Sequence, residues 1–285
     1  MFSTKRLLPL AAIGLALMVS ACGDDEANSP SVASGCTPKY EVKTQQDGVL
    51  RVGAIQYPPY STIKGDEVGG IDGEIMAKFA KAACLELEAK ETSFAAAVSS
   101  VTSGRNDLAM GDLYRTKERA QEVALSNPVY LDQLGIISKT GLESMQALEG
   151  KKLATVQGYY FVKEVKDTFG EDVKLFPDNI KMYQDLFAGR SEAGLDSLPA
   201  AVEYLKSVGK DGDYQVKVPP VDPRIPATGE QAAQSAYAYD KSAEEFGTAL
   251  NAYLEDIRAS GELAKILSAN GIPASAAKVG DARLS

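Results

Sequence analysis

The chain has 285 residues, with 39 acidic against 30 basic side chains and no histidine, for a formal net charge of −9. That balance disfavours nucleic acid and anionic membrane surfaces as partners. Three cysteines without a histidine cannot build the usual zinc sites, and the sequence implies no cofactor.

Lys5 and Arg6 precede an apolar run from Leu7 to Met18, too short for a permanent membrane span but suited to a signal-peptide core. Val19-Ser20-Ala21-Cys22 then resembles a bacterial lipobox, in which the peptide is cut before the Cys and the thiol is lipidated. The alternative is a plain secretory signal with an incidental Cys22. Two or three acyl chains, at about 0.8 kcal/mol per buried CH₂, would hold the protein at a membrane without a spanning helix. Loss of Lys5 and Arg6 with the signal takes the net charge to −11, from −9 minus +2.

From Gly23 to Gly35 the chain is polar and acidic, as in a flexible tether. With Cys22 lipidated, Cys36 and Cys84 are left in an oxidising, extracytoplasmic compartment. A disulfide between them is the preferred reading, and two free buried thiols the alternative.

The globular part starts near Leu50 and is long enough for two lobes. Leu50 to Ala54 reads as a short strand, and Gln56-Tyr57-Pro58-Pro59-Tyr60 as a rigid extended loop that fixes two tyrosines past its end. Asp72 is placed to cap a helix whose Ile71, Ile75, Met76, Phe79, Ala80 and Ala83 share one face. A strand over Leu85 to Ala89 follows, then a helix opened by Phe94 and ended at Ser103-Gly104. Leu108 to Gly111 is an apolar strand with a polar end from Asp112 to Arg115, and a helix opens at Thr116 with Arg119 in its first turn. In open α/β sheets ligands bind at the carboxyl ends of strands, and a guanidinium there matches a carboxylate.

Gly135 to Ser138 is strongly β-prone. A second unit alternates strands at Lys152 to Val156, Val173 to Phe176 and Ala193 to Asp196 with helices at Tyr159 to Thr168, Asn179 to Ala188 and Leu198 to Val208. The proline-rich Val218 to Pro226 cannot be central sheet. Gln234 to Tyr239 reads as a strand returning across the molecule, before helices at Ala243 to Ser260 and Glu262 to Asn270.

Several of these stretches occur in a familiar order. Leu50-Arg51-Val52-Gly53 and Tyr57-Pro58-Pro59-Tyr60 stand where one family has LRVG and YPPF, and Gly70-Ile71-Asp72 where it has GFD. Ser103 to Asp107 and Thr116-Lys117-Glu118-Arg119 match SGKxD and TPER; Leu148 to Gly158 echoes LKGKKVGVQxG, and Gly189 to Asp196 echoes GRxDAVVxD. From about Leu50 to Gly271 the chain thus resembles the family-3 extracytoplasmic solute-binding proteins of amino-acid ABC importers.

The resemblance implies an α/β, two-lobe periplasmic-binding-protein type II fold, each lobe a mixed sheet flanked by helices, joined by two hinge strands. It implies residues 49–138 and 236–285 as lobe 1 and 139–235 as lobe 2, after a signal peptide over 1–21 and a lipidated tether over 22–48. Carried over by position, Arg119 would hold a ligand α-carboxylate and Asp196, from the other lobe, an α-ammonium, with Tyr57 and Phe94 sandwiching the side chain. A zwitterion can be buried only where both charges meet partners. The chain departs from the family where Gly111, Asp112, Leu113 and Tyr114 replace small hydroxyl residues and where Tyr159 and Tyr160 follow Gln157-Gly158. A cleft lined by Tyr57, Tyr60, Phe94, Tyr114, Tyr159 and Tyr160, with Asp112 and Asp196, would suit a cationic or aromatic group. Tyrosine also packs half-buried elsewhere, so about half of these six aromatic residues should touch ligand.

The implied function is a lipid-anchored, extracytoplasmic protein that captures a small polar solute, an amino acid or related amine, and passes it to an ABC permease. An enzyme on the same scaffold, of the cyclohexadienyl dehydratase kind, is the alternative. Without histidine, Asp112 or Glu74 would have to act as its base.

Overall fold

A computed structural model describes residues 35–65, 67–228 and 232–285. The signal peptide, Cys22 and the tether as far as residue 34 lie outside these residues. Among the described residues, no helix is long and apolar enough to cross a membrane.

The chain begins its fold with β1 (Val49–Ile55), a hairpin of β2 (Thr62–Lys64) and β3 (Glu67–Gly69), and α1 (Gly70–Ala82). Then come β4 (Glu86–Thr92), α2 (Ala97–Thr102), β5 (Leu108–Tyr114), α3 (Lys117–Glu122) and the short β6 (Ala124–Leu125) and β7 (Leu131–Asp132). The second unit holds β8 (Leu134–Ser138), β9 (Leu153–Val156), α4 (Val162–Phe169), β10 (Val173–Phe176), α5 (Asn179–Phe187), β11 (Ala193–Ser197), α6 (Leu198–Ser207) and β12 (Gln215–Lys217). The chain returns through β13 (Ala233–Tyr239) and closes with α7 (Glu244–Ala259) and α8 (Glu262–Ala269).

Two sheets result, ordered β4-β1-β5-β13-β6, with β7 also on β13, and β10-β9-β11-β8-β12. In each, the strands joined by helical crossovers run parallel, and the strand arriving from the other unit runs antiparallel: β13 on β5, and β8 on β11. β1, β5, β8, β11 and β13 are almost wholly buried, as expected of strands covered on both faces. β8 belongs to the second sheet, so the first crossing comes at Gln133, earlier than the expected change of lobe after residue 138. Leu134, Ile136 and Ile137 are buried and pair with β11, and Ile136 and Ile137 pair also with β12. β13 likewise brings the chain back to the first sheet at Ala233 rather than at residue 236.

Helix starts shift from the sequence reading for physical reasons. Phe94 precedes α2 by a turn in which the Ala96 amide bonds the Ser93 carbonyl, and its ring is buried against Tyr57 and Tyr159. Tyr159 and Tyr160 precede α4, which opens at Val162. Asp72 does not cap α1: Gly69 occupies that position, and the Asp72 carboxylate points into the sheet.

The first sheet carries one irregularity that matters for the site. Ala236 faces Leu113 and Ala238 faces Ala109, so Met110, Gly111 and Asp112 stand opposite Tyr237 alone. This bulge puts Gly111 at φ +121° and Asp112 at φ +57°. A Cβ at Gly111 would lie 2.7 Å from Ile55 Cβ, so no other residue fits there without movement. Asp is among the few residues that tolerate the left-handed region. Gly111 N and Asp112 N leave the ladder and donate to Asp72 Oδ2 at 3.0 and 3.1 Å. Bulges of this kind re-aim a side chain, here that of Asp112.

Cys36 and Cys84 are joined by a disulfide, with Cα atoms 5.9 Å apart and a sequence separation of 48. It ties the segment before β1 to the end of α1. Replacing Cys84 with Ser should lower unfolding stability by about 2–5 kcal/mol, measured by urea denaturation. An unchanged midpoint in the variant would mean the two thiols are not bonded in the protein.

Candidate functional site

The facing ends of the two sheets enclose a small cavity lined by Tyr57, Phe94, Asp112, Tyr114 and Arg119 from the first and Tyr159, Tyr160, Phe161 and Ser197 from the second. Its volume is about 10 Å³, close to what one water needs and far below the roughly 300–1,000 Å³ of a ligand pocket. The molecule is therefore shut, and a solute enters only if the sheets part or these side chains move.

What holds it shut is a set of polar contacts between the sheets. Tyr57 Oη donates to Asp196 Oδ1 and accepts from the Ser197 amide at 3.2 Å. Tyr60 Oη and Ser197 Oγ are 3.1 Å apart. Arg119 Nη2 reaches the Gly158 carbonyl at 3.1 Å, and Nη1 holds the Tyr114 carbonyl at 2.9 Å. Gly158 permits this approach: a Cβ there would lie 2.6 Å from the Ala95 amide nitrogen. Thr116 caps α3 by accepting from the Arg119 amide at 3.1 Å, which sets the base of the guanidinium at the end of β5. Burial lowers Arg119 to about 10, so it remains a cation at neutral pH.

Aromatic rings fill the rest. Phe94 meets Tyr57 and Tyr159 edge-on, with centroids 5.0 and 4.7 Å apart, and Tyr114 meets Tyr160 edge-on at 4.4 Å. Tyr57 and Phe94 thus touch each other in this closed form, where the sequence reading places a ligand side chain between them.

Four carboxylates lie buried around this cavity, and they are satisfied unequally. Asp196 accepts from Tyr57, from Tyr159 at 2.8 Å, from Tyr183 at 2.9 Å and from the Ser197 amide at 2.9 Å. Asp72 accepts from the bulge amides, from Tyr130 at 3.1 Å and from Tyr237 at 3.0 Å. Asp132 accepts from Tyr114 and from the Gln133 amide at 2.6 Å. Asp112 Oδ1 is buried without a hydrogen-bond partner among the described residues. Burial pushes Asp72 and Asp196 up to about 6, against the pull of their tyrosine and amide donors. It pushes Asp112 well above the usual carboxylate range, aided by the neighbouring Asp132 and Asp72.

Of the residues singled out in the sequence, Tyr57, Phe94, Asp112, Tyr114, Arg119, Tyr159 and Tyr160 line the cavity. The structure places four elsewhere. Asp196 sits one layer behind, its oxygens taken by tyrosines. Tyr60 is buried beside it, stacked on Tyr130 at 5.3 Å. Gly111 packs on Ile55, and the Gln157 side chain is exposed. Glu74, the other possible base, lies on the surface 3.7 Å from Lys78. Sequence reasoning missed Asp132, Phe161, Tyr183 and Ser197. Ser197 had a signal: followed by Leu198-Pro199-Ala200, it is a helix cap, and its Oγ accepts from the Ala200 amide at 3.4 Å.

Comparison with known proteins places this geometry. Residues 50–270 match the family model described as bacterial extracellular solute-binding proteins, family 3. The probable amino-acid-binding protein YxeM of Bacillus subtilis is 25% identical over 273 residues, 92% of this chain and 93% of that protein. The lysine/arginine/ornithine-binding periplasmic protein of Escherichia coli is 31% identical over 175 residues, 57% of this chain and 66% of that one. The arginine-, lysine-, histidine-binding protein ArtJ of Geobacillus stearothermophilus shares the fold, with a TM-score of 0.68 at 20% identity over 78% of this chain and 94% of that one.

Asp72 and Asp196 make a pH signature testable. Both hold a proton more tightly folded than unfolded, where the ordinary value is 3.8. Their effect on stability is therefore most favourable below about pH 4, and is lost as pH rises through about 6. Thermal unfolding of wild type and Asp196→Asn from pH 4 to 7 should show the wild type losing ground to the variant across that window. A constant gap would mean that Asp196 is not buried as described.

Proposed function

Because the chain belongs to the bacterial extracellular solute-binding proteins of family 3, we propose that it captures an amino acid or related amine in the cleft between its sheets and delivers it to an ABC permease. The observation that carries this reading is the cavity itself, built half from each sheet, with the Arg119 guanidinium at its wall reaching across to Gly158. One lobe comprises residues 49–132 and 233–285 and the other 134–217, following the sheet pairings. The links near Gln133 and between β12 and β13 are the hinge. Opening breaks the contacts of Tyr57, Tyr60 and Arg119 across the cleft; a solute that bridges the two walls restores closure by differential contact. Arg119 holds the solute's carboxylate by exchanging its carbonyl partners for a planar two-oxygen acceptor. Cys22 carries the lipid that keeps the protein at the outer face of a membrane. The relatives carry the names of binding proteins, and an enzymatic role draws no support from them.

A thermal-shift screen of amino acids and amines tests this directly. The cognate solute, at about a hundredfold its dissociation constant, should add roughly 2.7 kcal/mol of stability. Arg119→Ala should weaken that solute by about 3–5 kcal/mol, since its carboxylate would be buried unpaired. Wild-type affinity in the variant, read by titration calorimetry, would remove Arg119 from the site.

A further inference from the structure

The closed cleft is electrically unbalanced in a way the arginine does not cancel. Asp72, Asp112, Asp132 and Asp196 are each nearly or fully excluded from solvent, and among the described residues the cavity wall offers one cation, Arg119. Two of the acids are fully engaged: Asp72 pins the bulge and Asp196 holds three tyrosines. Asp132 takes Tyr114 on one oxygen and an amide on the other. Asp112 differs from all three. It lines the cavity, its side chain is 3% exposed as a residue, and its Oδ1 has no partner among the described residues. Its backbone stands in the left-handed region, at φ +57°, only because the bulge in β5 turns it there. A buried carboxylate oxygen without a donor costs free energy unless something supplies one.

We propose that Asp112, backed by Asp132, is a cation seat: it takes a positively charged group of the solute and releases a proton to solvent as it does so. This rests on the solute-capture reading above and narrows it to solutes whose net charge is positive, such as dibasic amino acids. Asp132 and Asp72 lie near enough to disfavour a charge on Asp112. Two adjacent buried carboxyls cannot both ionise cheaply, and Asp112 is the one with an oxygen left without a donor among the described residues. Both stand on strands of the first sheet, as does the Asp72 contact through α1, so the pair persists when the sheets part. The other groups facing Asp112 are Arg119 and the tyrosines Tyr57, Tyr60, Tyr114, Tyr130 and Tyr160. Burial holds these tyrosines neutral, so none of them competes to bind or release the proton near neutral pH. Their rings favour a cation placed among them. The exchange is balanced: one positive charge enters as an ammonium or guanidinium, one leaves as a proton to buffer, and the carboxylate charge it meets is the one uncovered by that loss.

The experiment uses the mature chain and two charged and neutral pairs of similar shape, L-arginine with L-citrulline and L-lysine with L-norleucine, titrated by calorimetry. The charged member of at least one pair should bind tenfold or more tightly than its neutral partner. Its heat at neutral pH should differ between phosphate and Tris in the sense of proton release, and its affinity should climb with pH, by at most about tenfold per unit, as long as free Asp112 holds its proton. Asp112→Asn, which keeps shape and tolerates the same φ, should bring the two members of the pair together and flatten both the buffer and the pH dependence; Asp112→Ser should do the same. Neutral members binding as tightly as charged ones, or Asp112→Asn leaving the ratio and the proton release intact, would overturn the cation seat. If neutral amino acids bind while all cations fail, the seat falls and solute capture stands. If no amino acid or amine binds, both fall.

Discussion

One carboxylate, that of Asp72, organises the first half of the molecule. The bulge in β5 takes the amides of Gly111 and Asp112 out of the ladder, and stranded amides inside a sheet are costly. Asp72 recovers both, and spends its other oxygen on Tyr130 and Tyr237. A single group on the first turn of α1 thereby joins the helix to β5, to β13 and to the segment that leads out of the sheet. Its place near a helix N-terminus favours the charge it carries. Everything at the cleft inherits this arrangement: the bulge sets the aim of Asp112, and the chain beyond it delivers Tyr114 and Arg119.

Among the described residues, closure between the sheets uses neutral phenols rather than ion pairs. Tyr57, Tyr159 and Tyr183 surround Asp196, and the first of these comes from the opposite sheet. An ion pair buried here would need to recover the desolvation of two charges, where a tyrosine–carboxylate contact needs to recover only one. The rings add edge-to-face contacts worth about 0.5–1.5 kcal/mol apiece beyond their buried area. The closed form is thus held by many modest interactions, each of which a solute can replace without exposing a lone charge. Arg119 follows the same rule, since its partners across and along the cleft are carbonyls.

The fold was largely legible in the sequence because its signals are local and periodic. Apolar strands followed by one-faced helices, turns marked by Gly, and a late lone strand led to two α/β units with a return crossing, and the family resemblance agrees with the matched residues 50–270. The limits of the elements were less legible where tertiary contact outranks propensity. Phe94 and Tyr159 look like helix openers but are held in turns by each other's rings. Gly135 to Ser138 looks like the last strand of one unit but pairs with the next. At the site, sequence reasoning found seven of the nine residues that line the cleft and missed Phe161 and Ser197. Asp72 looked like a cap because a bulge in β5 leaves no mark near residue 72. Tyr183 lies on an amphipathic helix, where an inward tyrosine reads as core. Asp132 follows an Asn-Pro break and carries no motif; only the pairing of β7 with β13 brings it beside Asp112.

The two walls of the cleft are chemically unequal, which orders events on the proposed reading. Asp72, Asp112, Asp132 and Arg119 all stand on or beside the first sheet, whereas the second contributes Asp196, already saturated, together with rings and the Ser197 and Gly158 backbone. Both charged contacts for a solute are therefore assembled on one lobe before the other arrives. The second lobe supplies the latch: Asp196 keeps two of its three tyrosines when the cleft is open and gains the third only on closing. Charge recognition and closure are thus separable, the first residing in the bulged end of β5 and the second in the hydroxyl of Tyr57.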